Sequence, residues 1–192
     1  IVNNITITSL VPGPILDFST SNASTVVFGG HINISNIELG DASWAPIQIA
    51  PTSGSFTKPP TISIQASSSN PPTWIFEDIP VPEALFYVFA TTNAAEFDAD
   101  LGNILQRGVR WVPSGFVSNL GHAFKFTMGT AAMYANIKAN DVVLGDLGLV
   151  AASAMPASAS YRYNNITITG DVTLTGKSAG KYLVSTLSPL YI

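Results

Sequence analysis

Residues 161–176, YRYNNITITGDVTLTG, set the tightest limit on what this chain can fold into. Ile166, Ile168, Val172 and Leu174 occupy even positions, while Thr167, Thr169, Thr173 and Thr175 fill the odd ones. Alternation of β-branched and hydroxyl residues is the pattern of a half-buried strand, apolar side inward. The parity does not change across Gly170-Asp171. A two-residue hairpin loop there would set Ile168 beside Thr173 on one face, which mixes apolar with polar. A three-residue loop over residues 169–171 keeps the faces clean, and so does one long strand bent at Gly170. The bent strand is preferred, because glycine inside a strand commonly marks a bend or bulge. The first six residues of the pattern, NNITIT, recur at residues 3–8, too short an echo to define a repeat.

The same short alternations recur along the chain. Ile5 and Ile7, Ile32 and Ile34, Ile47 and Ile49, Ile62 and Ile64, and Phe124 and Phe126 each predict a strand, and the last strand falls in residues 181–187. Residues 84–90, ALFYVFA, are apolar on both faces and read as the most buried strand. Between these runs lie turn signals drawn from 13 prolines and 15 glycines. The parity slip at Asn36 predicts a bulge or turn. One helix is expected over residues 93–108: Asn93 as cap, acids in the early turns, and Phe97, Leu101, Ile104 and Leu105 at i, i+4, i+7 and i+8, closed by Arg107 and Gly108. Gly102 in its middle would cost such a helix about 1 kcal/mol. The length, 192 residues, suits a single domain over residues 1–192. Short strands at regular spacing predict an all-β, antiparallel two-sheet β-sandwich of jelly-roll type with one short helix.

Charged residues make up only 10% of the chain, so Ser, Thr and Asn must cover the surface. Such a surface fits a chain covered by copies of itself, or a secreted or glycosylated one. A net charge of −4 with eight unclustered basic residues argues against nucleic-acid binding, except through a basic arm outside these residues. Without cysteine there is no disulfide and no thiolate chemistry. No apolar run approaches the roughly 18–20 residues of a membrane-spanning helix.

Catalytic constellations are sparse. Ile1-Val2-Asn3-Asn4 resembles the activated end of trypsin-like serine proteases. However, Ala131-Ala132-Met133 carries methionine where that family has its histidine, and no Gly-Asp-Ser-Gly-Gly occurs. His31 and His122 lie beside glycines without metal-ligand spacing. Glu77, Asp78 and Glu83 flank prolines and read as a solvated turn. Glu96, Asp98 and Asp100 are the candidate metal residues: in an extended segment all three share a face, and with a neighbouring subunit's carbonyls they could hold calcium. Acids that complement a helix dipole are the plainer reading. No other cofactor and no enzymatic activity is expected. Asn4, Asn22, Asn33 and Asn165 each begin an Asn-x-Ser/Thr sequon.

An all-β chain with long Pro/Ser/Gly connections, ALFYVFA followed by a helix, a bent late strand and Ser188-Pro189-Leu190 near its end resembles the jelly-roll coat proteins of small icosahedral viruses. The resemblance implies a capsid protein of the virion that assembles with copies of itself, and with other coat proteins, into a shell around a genome. The alternative is a secreted or cell-surface carbohydrate-binding or adhesin module, with Trp44 and Trp74 stacking on sugars.

Overall fold

The computed structural model describes residues 1–8, 16–17, 24–36, 45–49, 61–81, 84–90, 95–111, 121–128, 133–145, 147–152, 162–175, 184–186 and 190–191. They form strands only, and every strand pairing is parallel. The chain winds as a three-faced parallel β-solenoid, one strand per face per turn. β1 (Val2–Thr8) lies on face two and β2 (Leu16–Asp17) on face three. β3 (Ser24–Ser35) crosses from face one to face two, and β4 (Ile47–Ile49) returns to face three. The next turns carry β5 (Thr61–Ala66), β6 (Thr73–Glu77) and β8 (Ala84–Ala90), then β9 (Ala95–Asp100), β10 (Asn103–Arg107) and β12 (His122–Met128). β13 (Met133–Ala139), β14 (Val142–Leu144) and β15 (Gly148–Ala152) form another turn. β16 (Arg162–Ile168), β17 (Val172–Leu174), β18 (Val184–Thr186) and β19 (Leu190–Tyr191) complete the stack. Two short strands, β7 (Pro80–Val81) and β11 (Arg110–Trp111), pair at the corner between faces two and three. Faces one and two belong to a single eleven-stranded sheet because β3 runs through both.

This arrangement corrects the antiparallel jelly-roll expectation. Among the described residues, consecutive strands do not pair as hairpins; the chain passes to the next face, and each strand's neighbours are the strands one turn before and after. The turn signals at Asn36, Asp78, Gly102, Gly108 and Gly170, all among the described residues, are corners of the solenoid. The period-two alternation is common to both architectures, since each buries one face of every strand.

The expected helix is likewise replaced by β9, a corner at Leu101-Gly102, and β10. Phe97, Ala99 and Leu101 are buried while Asp98 is exposed, a period of two. The backbone bonds run to neighbouring turns: Leu101 N–H donates to the Lys138 carbonyl (2.8 Å) and Asn103 N–H to the Pro72 carbonyl (3.0 Å). Gly102 has φ +61°, a left-handed conformation that a helix interior does not use. The corner shifts the inward parity from 101 to 104, so Phe97, Leu101 and Ile104 imitate helical spacing. Asn93 lies outside the described residues.

The 161–176 stretch bends without reversing. β16 pairs with β13 and β19 on face one, and β17 with β14 on face two. At the corner, a side chain on Gly170 would collide with the Asp141 carboxylate of the preceding turn, which donates nothing but accepts the Asp171 N–H at 2.9 Å.

The interior is built from stacked like residues. Face one stacks Val26, Ile64, Ala99, Ile137 and Ile166. Face two stacks Ile5, Ile32, Trp74, Ile104, Val142 and Val172. Face three stacks Leu16, Ile47, Phe86, Phe124 and Val150. Trp74 joins the three faces, with ring centroids 4.9 Å from Phe28 and 5.5 Å from Phe86. Each fully buried aromatic or aliphatic side chain contributes about 1.5–3 kcal/mol relative to exposure.

Candidate ligand-binding face

Because inward residues alternate with outward ones, winding also stacks the outward residues. On face one, Thr25, Ser63, Asp98, Asn136 and Asn165 occupy one register column across five consecutive turns. Thr25, Asp98 and Asn136 are exposed, and Ser63 and Asn165 half-buried. Adjacent turns repeat at the inter-strand spacing of about 4.8 Å. The column is therefore a straight row of hydrogen-bonding groups across the strands.

All three candidate metal residues lie on β9, with Asp98 and Asp100 facing outward. Glu96 is opposite Thr61 and Tyr134, Asp98 is opposite Ser63 and Asn136, and Asp100 is opposite Lys138. Asp100 is engaged on both oxygens: Oδ1 accepts the Gly102 N–H at 3.3 Å, and Oδ2 lies 3.6 Å from the Lys138 ammonium. The Lys138 ammonium supplies a positive charge beside the acids. Among the described residues no group of three acidic, histidine or cysteine side chains is gathered closely enough to hold a metal ion.

The corner beside this column carries a second polar network. Asn140 Nδ2 donates to Asn103 Oδ1 (3.0 Å), Asp141 N–H to the same oxygen (3.3 Å), and Thr169 Oγ1 to Asn140 Oδ1 (3.2 Å). Asn103 Nδ2 reaches Thr73 Oγ1 at 3.4 Å. These groups satisfy one another and turn backbone, so they hold the corner in shape.

The remaining expected residues scatter. Trp74 is fully buried and unable to stack on a sugar. His31 is exposed, with its backbone N–H donating to Asn4 Oδ1 at 3.0 Å, whereas His122 is buried on face three. Asp78 is a corner residue with φ +51°, its N–H donating to the Arg107 carbonyl (2.8 Å), as a turn reading expects. Among the sequon residues, Asn33 faces outward on face two and Asn165 on face one. Trp44, Asn22 and Glu83 lie outside the described residues.

Sequence reading found the acidic row but not its neighbours. Ser63, Asn136 and Asn165 reach Asp98 only through winding. The available signal was the recurrence of apolar–polar alternation before each Gly or Asn corner.

Comparison with protein-family models, curated proteins and solved structures finds no match to this chain.

Proposed function

We propose that the chain is an extracellular recognition module that binds a hydroxyl-rich polymer, a polysaccharide, along the outer surface of face one, without turning it over. The observation that carries this reading is the in-register column Ser63, Asp98, Asn136 and Asn165. Carboxylate and amide groups accept from and donate to sugar hydroxyls. A row repeating with every turn suits a ligand that repeats as well. The low charge leaves such a surface to polar neutral groups, and the stacked core holds them rigid before binding. Among the described residues no helix is long and apolar enough to cross a membrane. The coat-protein expectation rested on a jelly-roll sandwich, and the parallel solenoid removes that basis.

The test is binding to a panel of immobilised polysaccharides by the wild type, by Asp98→Ala/Asn136→Ala, and by a face-two control, Thr6→Ala/Thr8→Ala. Each net hydrogen bond contributes about 0.5–1.5 kcal/mol, so the face-one double variant should bind about tenfold or more weakly. The control should bind as the wild type does. Equal binding by all three, or no binding by the wild type, contradicts the proposal.

A further inference from the structure

The outward column at the centre of face two is apolar where its counterpart on face one is polar. Ile75, Leu105 and Val143 stand in register on β6, β10 and β14, all half-buried, whereas Ser63, Asp98 and Asn136 fill a face-one column. Exposed polar groups border the stripe. Glu77 and Arg107 are register partners on one side, while His31 and Asp141 lie on the other. Among the described residues neither Glu77 nor Arg107 makes an ion pair. We propose that this face pairs with the same face of a second copy, about a two-fold axis that runs along the strands between β6 and β10.

Three observations point to a second copy as the occupant. The first is charge. Because Glu77 and Arg107 are opposite each other on neighbouring strands, this axis sets Glu77 over the partner's Arg107 and Arg107 over the partner's Glu77. An axis on β6 would oppose Glu77 to itself, and one on β10 would oppose Arg107 to itself. Charge therefore selects the position between the two strands. The second is that the other columns agree with that position. Ile75 lies over the partner's Leu105, Thr73 over the partner's Asn103, and His31 over the partner's Asp141. Apolar meets apolar, hydroxyl meets amide, and imidazole meets carboxylate. The third is area and composition. On β3, β6, β10 and β14, four strands about 4.8 Å apart and about 17 Å long present roughly 300 Å² of flat sheet per copy, which suits weak, transient pairing. Charged residues are only 10% of the chain, a surface that fits covering by copies of itself. The contact closes at two copies and leaves face one of both open.

Charge reversal tests the contact. Sedimentation equilibrium of the wild type should show a rise from one copy to two, and no further, as the concentration approaches about 1 mM. Glu77→Arg and Arg107→Glu each set like charges face to face and should weaken pairing about tenfold or more. The double variant Glu77→Arg/Arg107→Glu restores opposite charges across the axis and should pair as the wild type does. Leu105→Thr, which removes the centre of the apolar stripe, should stay a single copy. Unfolding midpoints of the charge variants should match the wild type, because both side chains are exposed. A wild type that remains a single copy at the highest concentration overturns the proposal, and so does growth beyond two copies. Undiminished pairing by either single reversal or by Leu105→Thr overturns it as well, as does a folded double variant that fails to pair.

Discussion

Phe86 and Phe124 lie opposite each other on neighbouring turns of face three, with ring centroids 5.4 Å apart and planes inclined by 26°. Stacking of like residues from strands far apart in sequence follows from parallel turns held in register. Phe86 also meets Trp74 at 5.5 Å and Phe76 at 5.6 Å, both edge-on. Phe86→Ala should therefore cost about 3–5 kcal/mol in urea unfolding. A double-mutant cycle with Phe86→Leu and Phe124→Leu should return a coupling of about 0.5–1.5 kcal/mol, and zero coupling would mean the two rings do not stack.

Gly102→Ala distinguishes a solenoid corner from a helix by sign. In a helix interior the change would stabilise by about 1 kcal/mol. At φ +61°, with the Pro72 carbonyl where the new methyl must go, it should destabilise by about 1–2 kcal/mol or more. The urea midpoint of the variant decides between them.

Ile166 and Val172 share one sequence pattern but not one environment. Ile166 is fully buried between turns, and Val172 sits at the open edge. Ile166→Ala should cost about 2–5 kcal/mol, and Val172→Thr should stay within about 0.5 kcal/mol at dilute concentration. Equal losses at the two positions would show that the face-two edge is covered within a single molecule.

Asp141 fills the space beside Gly170 and accepts the Asp171 N–H. Asp141→Ala removes the acceptor and should cost about 1 kcal/mol, while Asp141→Asn keeps an oxygen there and should lose less. Thermal unfolding of the two variants gives the comparison. Equal losses in the two variants would mean that charge, not the acceptor, holds the corner.

Much of the local structure was legible from residue order. Ile62 and Ile64, and Val142 and Leu144, alternate as strands do and point inward. Gly170 and Asn36 mark corners where parity predicts a bend or slip. Strand partnership was not legible, because alternation is the same for antiparallel hairpins and parallel turns. What separates them is whether Ile64 meets Ala99 from the next turn, and no short-range pattern encodes that contact. The false helix has a specific cause: the Leu101-Gly102 corner inserts the residues that turn period two into an apparent i, i+4, i+7. The acidic row was visible, but its role depended on Ser63, Asn136 and Asn165, which only winding brings beside it.

The binding column depends on parallel turns in register on face one. The most direct measurement uses Asp98→Cys/Asn136→Cys in this cysteine-free chain. These exposed positions are register partners on β9 and β13, and neighbouring strands place their Cα atoms within the span a disulfide requires. Parallel, in-register turns predict that mild oxidation gives an intramolecular disulfide and consumes both thiols. Two thiols that stay free in a folded monomer would contradict the account.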